Sequence, residues 1–599
     1  MPELKTRSAE ILEDFDKAKT KKQKKEILFK ELDAFDRNEQ WDLKEAPSWL
    51  PKPVTNYIHL VKYTKRAAFA VENPTGKLRP VSPDTLDLVK KLNKAYEDTF
   101  ARIKARSVIR DNIATSKLLG TAIAHIYWDE SKEGRLGSTV QGNAPYQYEG
   151  EICTREIDPA SFYPDPNAFT INECQFIIIR ERKNKKWVTN HPKFKQYFSK
   201  EDENIDAQNN PNERGEIYGR DYNTSQETGL IDFISYYSKE MNEEGGFTYS
   251  VEYVAGGKLL GKKEKLRPNR YPFSILYDFQ QRQDFWAMST CELILDNQKI
   301  INKVESIVTL LGTMMQNPQK IVSTSSGINP KDLAKYGHAP GQVWETNGDI
   351  NNSMKYADTP QIPMALLNLL DNAKANIREI TGLTESYMGQ NVGSLQTSSG
   401  VQALIDRSTM RDRDQMYDIE LFVEDYSKML IDFMTEYYEE ERLIRIFDKN
   451  GDVESFESFI GTEFKDLEYD IAMDVSSKAP VTRMREINDA KELINLQGQY
   501  GANYPVPIIK PQEAINMMNL TYGQAIIDRM NMDEMNDKVG KAMQVAQMLA
   551  EAMEQGVPQE ELTGMAQAMY QSLDDPNAAP PSQAGAMSNG NPQNTPQGA

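Results

Sequence analysis

The segment nearest to a recognisable chemical site is Gly256-Gly-Lys-Leu-Leu-Gly-Lys-Lys. It has the G-x-x-x-x-G-K frame in which backbone N–H groups cradle the phosphates of a nucleotide. Such a loop needs Ser or Thr after the lysine to hold Mg²⁺, and a helix to follow. Lys263 stands in that place and no helical pattern comes next, so a hairpin turn after Val254 accounts for the glycines. Asp448-Lys-Asn-Gly-Asp opens like a calcium loop, yet Val453 holds the sixth position, where Gly is needed, and Phe459 the twelfth, where Glu is needed. It reads as a turn. His59, His125, His191 and His338 include no i, i+4 pair, which argues against a zinc site or a Ser/His triad. Cys153, Cys174 and Cys291 are too few and too scattered for a disulfide framework and fit a reducing compartment. The many carboxylates give no reason to choose two for acid–base work. No catalytic residue, metal or cofactor is expected from these patterns.

The elements that would have to position any site span 599 residues, long enough for two to four packed units at roughly 100–200 residues each. Hydrophobic residues make up 39% and charged residues 27%, enough apolar material to fold most of the chain. The formal charge of −19 argues against a tight nucleic-acid binder, because phosphate affinity comes from clustered Lys and Arg. An acidic wall still suits a conduit through which DNA must slide without sticking. The charged start MPELKTRSAE and the lack of a long apolar run predict a soluble, unprocessed chain with no membrane span.

Apolar spacing predicts a helix over Ser8 to Leu43, in which Lys17, Lys19, Lys21, Lys22, Lys24 and Lys25 read as a solvated face, a contact with an acidic partner or DNA being the alternative. A second helical stretch, Ser82 to Leu119, ends at Gly120. Strands are expected at Thr121–Asp129, Gly150–Ile157, Cys174–Lys183, Gly229–Tyr237 and Phe247–Val254, with a polar surface loop at Glu201–Tyr222. A helix of roughly 40 Å runs from Ser289 to Asn317 with Leu293, Ile294, Ile300, Ile301, Val304, Ile307, Val308, Leu311 and Met315 on its apolar stripe. Pro318 stops it. A turn-rich segment, Lys320 to Asp358, follows, with short strand-like pieces such as Gln342 to Glu345.

Pro363 opens another helix to Thr381, and Gly382 to Ser399 reads as a mobile loop. A very long helix of roughly 60 Å then covers Gly400 to Arg442, with Ile419, Phe422, Val423, Tyr426, Met429, Leu430, Phe433, Met434 and Tyr437 on one face. A hairpin, Leu443–Phe447 with Val453–Phe459, comes next. Helices are expected at Thr482–Gln497, Gln512–Asp528 and Asn536–Leu573. The charge-free stretch Pro576 to Ala599 is expected to be disordered.

This order of segments resembles phage portal proteins. Pro272-Phe-Ser-Ile-Leu followed by Leu293 to Val304, with Asn297-Gln298 and Ile301-Asn302-Lys303, looks like the start of a portal stem helix. Thr381-Gly-Leu-Thr-Glu and Gln396-Thr-Ser-Ser-Gly-Val-Gln look like the stretch that leaves a second stem helix and begins the wing helix. Glu156-Ile-Asp-Pro-Ala-Ser-Phe-Tyr-Pro-Asp-Pro is similar to the wing's strand-loop-strand element. The likeness covers roughly residues 50 to 530 and lies in segment order, since no short motif is diagnostic alone. It departs at the C-terminal end, where eleven of the 25 methionines lie between Met517 and Met587.

The resemblance implies an α+β, multi-domain portal fold: a helix-rich stem, wing and crown with a small α/β clip, assembling as a ring. It places an N-terminal wing region at 1–288, stem helices at 289–317 and 363–381 around a clip at 318–362, and a tunnel loop at 382–399. A long wing helix and hairpin at 400–480, crown and C-terminal helices at 481–573 and a tail at 574–599 complete it. Tyr387, Met388, Gln390, Asn391, Ser394 and Gln396 would face DNA in the channel. Lys331, Lys335, Tyr336, His338 and Trp344 would meet the terminase or adaptor. Implied partners are further copies in a ring, as a dodecamer, with major capsid protein, scaffold, terminase large subunit, head-completion, adaptor or tail proteins, and passing double-stranded DNA. The expected location is the capsid vertex of a virion, and the host cytoplasm during assembly. A packaging or replication ATPase using Gly256 to Lys263 is the rival reading, and another virion structural protein a second alternative.

Overall fold

The computed structural model describes residues 2–473 apart from 42–46, 48, 71–74, 136–146, 199–229, 244, 338–340, 348, 359–360, 384–397, 448–452 and 466, with scattered residues beyond, chiefly 491–496. The chain divides into two units, Met1–Ala479 and Pro480–Ala599. The expected loop 201–222, the calcium-like turn at 448–452, the Met-rich helix and the tail lie outside the described residues, as do most of the helices expected at 482–497 and 512–528.

Helix α1 (Pro2–Asp36) buries Ile11, Phe15, Ala18, Phe29, Leu32 and Phe35 at helical spacing. Lys22 falls on this same stripe, which corrects the solvated-face reading for that residue: it is 2% exposed. Its Nζ donates to the carbonyl oxygens of Pro159, Ala160 and Phe162 at 2.6, 2.8 and 2.9 Å, beneath the faces of Tyr163 and Trp286. Three acceptors use all three ammonium N–H bonds, so burial costs less than it would for an unpaired charge.

α2 (Tyr57–Ala70) and β1 (Gly76–Pro80) precede α3 (Leu86–Arg102) and α4 (Ala105–Leu119). The single helix expected over Ser82–Leu119 is thus two, broken at Lys104, whose φ is 56°. Apolar spacing runs across the break because Phe100, Ala105 and Ile109 all enter one core cluster. Gly120 closes α4 at φ 86°, where a Cβ would sit 2.3 Å from the Ala287 carbonyl oxygen.

β2 (Thr121–Arg135) and β3 (Gln147–Ile157) form an antiparallel hairpin. β4 (Phe162–Pro164), β5 (Phe176–Asn184), the short α5 (Lys185–Asn190), β6 (Leu230–Met241), β7 (Phe247–Ala255), β8 (Lys258–Leu259) and β9 (Glu264–Lys265) follow. The second sheet is ordered β4-β5-β6-β7-β8, with β9 also on β7, and β10 (Phe273–Tyr277) returns to β2. α1 covers the second sheet through Ile11, Phe15 and Ala18 against Tyr163, Ile178, Ile234 and Val254.

α6 (Thr290–Gln316) leaves this core and leads to an insert of β11 (Lys320–Val322), α7 (Pro330–Tyr336), α8 (Ile350–Ser353) and β12 (Met354–Tyr356). Among the described residues of the insert β11 pairs with β12, and Gln342 to Glu345 is not a strand; Val343 is 81% exposed. α9 (Met364–Thr381) returns, and Gly382 caps it at φ 71°. α10 (Ser398–Tyr437) buries Ile419, Phe422, Val423, Tyr426, Met429, Leu430, Phe433 and Met434 against α3, α4, β2 and β10. It ends before Arg442, which instead opens β13 (Arg442–Phe447): its buried guanidinium donates to the Gly150 carbonyl at 3.2 Å and stacks on Tyr438. β14 (Val453–Phe459) completes that hairpin, and β15 (Tyr469–Met473) pairs with β1 across nearly the whole unit.

Candidate functional site

The part of the molecule that the core does not absorb is the excursion from residue 290 to residue 381. Its first helix is fixed at the start by a capping box: Ser289 Oγ accepts from the Glu292 N–H at 2.8 Å, and the Glu292 carboxylate accepts from the Ser289 N–H. Just beside it, the buried Asp278 carboxylate accepts from Thr290 N–H and Oγ1 at 2.5 and 2.6 Å, from Lys117 Nζ at 2.6 Å and from Gln415 Nε2 at 3.3 Å. A carboxylate at a helix N-terminus also complements its dipole. One side chain therefore joins α4, α6 and α10.

Further along α6, buried Gln298 and Asn302 interrupt the apolar run at i, i+4. Gln298 Nε2 shares its two hydrogens among the Thr55 carbonyl at 2.8 Å, Asn302 Oδ1 at 2.9 Å and Gln40 Oε1 at 3.2 Å, while its Oε1 accepts from the Tyr57 N–H at 2.9 Å. Asn302 Nδ2 donates to Gln40 Oε1 at 2.6 Å, and Ser306 Oγ to the Pro51 carbonyl at 2.6 Å. Nearer the start of α6, Cys291 is fully buried, which pushes its thiol up in pKa. The amide network was not read from the sequence. Its signal was two amides one turn apart inside an apolar stripe.

α6 and α9 pack antiparallel: Asn376 faces Asn297, and Lys374 lies 3.7 Å from Glu305. The β11–β12 register continues the same alignment, Lys320 opposite Tyr356 and Val322 opposite Met354. Fully buried residues occur in α6 only up to Ser306 and in α9 only from Ala373 onward. The expected apolar stripe therefore splits: Ile294, Ile301 and Val304 enter the core, whereas Leu293, Ile300 and Met315 are exposed. Met364, Leu367 and Leu369 are exposed on α9, and Ile321, Tyr336, Val343, Ile350 and Tyr356 on the insert.

Within the insert, Asn329 and Asp349 cap the two short helices by accepting from the Lys331 and Asn351 N–H groups, and Lys320 Nζ donates to the Gly337 carbonyl. Lys331, Lys335 and Tyr336 lie together on α7, all exposed, with Lys335 over the Tyr336 ring; Trp344 is half-buried in the following stretch. His338 lies outside the described residues, as do Tyr387, Met388, Gln390, Asn391, Ser394 and Gln396.

Elsewhere, Gly256 and Gly257 take φ 55° and 80° and turn β7 into β8, with Val254 opposite Leu259; no helix follows, so the phosphate-loop frame is a hairpin. His59 faces Asp36, His125 is buried beside Arg155 and Phe273, and His191 Nδ1 accepts from the Lys193 N–H. Among the described residues no group of three His, Cys, Asp or Glu could hold a metal, and no helix is long and apolar enough to cross a membrane.

The excursion is thus an antiparallel pair of helices joined by a small αβ insert, attached to a mixed helix and sheet core. Comparison with protein families gives a match to the family of the Phage SU10 portal protein over residues 138–572. That stretch exceeds half of the sequence, and the chain belongs to this family of portal proteins, virion structural proteins of the head-to-tail connector. A comparison with curated proteins finds no match. Among solved structures, a chain of "Neck of native GTA particle computed with C12 symmetry" is 10% identical with a TM-score of 0.31, covering 77% of this chain and 89% of that one.

Proposed function

We propose that copies of this chain close into a ring, as a dodecamer, at the capsid vertex, and that double-stranded DNA passes through its axis during packaging and ejection. The observation that carries this reading is the distal arm. From Ile307 to Gln316 and from Met364 to Asn372 no residue is fully buried, while Met315, Met364, Leu367 and Leu369 present apolar surface that one chain leaves uncovered. Apolar patches of this kind mark interaction surfaces, and a cyclic ring supplies each arm with a neighbour on two sides.

In this arrangement α6 and α9 are the stem and the insert 318–362 is the clip. Lys331, Lys335, Tyr336, His338 and Trp344 offer cations and aromatic rings to the terminase and later to adaptor or tail proteins. The loop 382–399, linking α9 to α10, faces the DNA. The chain makes and breaks no bond itself; the motor supplies the work, and the acidic balance of −19 limits adhesion of the polymer. Capsid protein and scaffold meet the wing and core during assembly in the host cytoplasm.

Native mass spectrometry and electron microscopy of the purified full chain test the reading. Closed rings with one axial channel are expected. A compact monomer at every concentration overturns it. Deleting the loop 382–399 is expected to leave rings intact and impair DNA packaging or retention.

A further inference from the structure

We infer that the buried polar stripe Gln298, Asn302 and Ser306 is a positioning device that sets the azimuth of α6 and thereby the number of subunits in the ring; it rests on the ring reading above. The three residues recur every fourth position along one face of the helix and all bond to the single chain segment that runs from residue 40 to residue 57. Gln40 is the third amide: it accepts from both Gln298 and Asn302, and its own Nε2 donates to the Phe35 carbonyl at 2.9 Å, tying the stripe to the end of α1.

An apolar stripe in the same place would hold the helix as firmly but less uniquely. Apolar cores of matched volume lose a single arrangement before they lose stability, because neighbouring ridge-and-groove packings differ little in energy. Hydrogen bonds are different: beyond about 3.5 Å, or well off line, they are gone. Four full bonds to one segment, with a longer shared contact from Gln298 to Gln40, fix both the rotation and the axial position of the helix. The side chains are buried, so each displaced bond leaves an amide or hydroxyl without water to replace the partner.

Ring closure makes this orientation consequential. In a cyclic assembly the angle between neighbours is repeated at every interface, and twelvefold and thirteenfold rings differ by only about 2° in that angle. The helix whose exposed residues Leu293, Ile300 and Met315 offer the apolar surface is the one that the stripe orients. A small roll about its axis moves those side chains relative to the neighbour.

The test uses the full-length chain with Gln40→Met, Gln298→Met and Asn302→Leu, which keep volume and remove the network. Circular dichroism is expected to be preserved, with a melting temperature lowered by several degrees because the Thr55 carbonyl and the Tyr57 N–H lose their side-chain partner. Native mass spectrometry is expected to replace one ring size by two or more, or by open arcs. A milder pair, Asn302→Ser with Ser306→Ala, serves where the triple variant does not fold, and is expected to put at least about a tenth of the particles into a second size. A single unchanged ring size in folded variants overturns the inference alone. Absence of rings from the unmodified chain overturns the ring reading, and this inference with it.

Discussion

α6 passes through two regions that differ in what surrounds them. Over its first half, Cys291, Ile294, Leu295, Gln298, Ile301, Asn302 and Val304 are buried, and every polar member has named partners. Over its second half, from Ile307 to Gln316, no residue is fully buried and Met315 is 48% exposed. The first half carries Glu292, Asp296, Lys299, Lys303 and Glu305 among its apolar residues, whereas Ile307 to Gln316 carries no charged residue and is the more apolar of the two. The difference teaches that the sequence pattern encodes a helix with two apolar faces, of which the unit itself satisfies one, at one end. The buried side chains lie at the base, and the distal end keeps its apolar side chains uncovered within one chain.

The strongest attack on this contrast is at the base, with Asp278→Ala. It strands the buried Lys117 ammonium and the Thr290 N–H, and is expected to cost about 3–5 kcal/mol in denaturant unfolding. Ile301→Ala, in the same half, opens a core cavity and is expected to cost about 2–4 kcal/mol. A cost under about 1 kcal/mol for both would mean that the base is not the stabilising half.

A third test uses pH, since burial pushes the Glu156 carboxyl up to about 7. Between the ordinary value of 4.5 and 7 the folded state holds a proton that the unfolded chain has released, so this group's contribution to stability falls as pH rises through that window. Glu156→Gln is expected to raise stability by roughly 2 kcal/mol at pH 8 and by far less at pH 4, read by thermal unfolding at the two values. The smallest effect on the chain's own stability is expected from Met315→Ser with Leu367→Ser in the distal arm, within about 0.5 kcal/mol. The same pair is expected to weaken ring formation at low protein concentration. A large loss of monomer stability would place the distal residues in a core and erase the contrast.

Much of this was legible from spacing. Eight of the nine residues read on the face of the long helix, Ile419 to Met434, are fully buried, and the ninth, Tyr437, stacks on Trp128 at 4.8 Å. The two helices of the arm begin and end within a residue or two of the expected positions, because Ser289, Pro318, Pro363 and Gly382 are strong local signals. What spacing could not supply are contacts made by distant segments. Lys22 reads as a surface lysine because its carbonyl partners lie nearly 140 residues away. Gln342 to Glu345 places Val and Trp side by side like a short strand, but strands need a partner, and the pairing went to Lys320–Val322 and Met354–Tyr356. The end of the long helix was misplaced for a related reason: Arg442 is drawn into a strand by Gly150 and Tyr438, which helical propensity does not register. Tyr387, Met388, Gln390, Asn391, Ser394 and Gln396 lie outside the described residues.

β1 has a consequence for how the chain is made. Gly76–Pro80 finds its only described strand partner in Tyr469–Met473, so a nascent chain must be almost four hundred residues longer before that ladder can close. Until then its backbone groups form an open edge, the kind of surface that invites mispairing with other polypeptides. A product cut short before residue 469 keeps that edge permanently, and the first unit is sealed only when its last strand emerges from the ribosome.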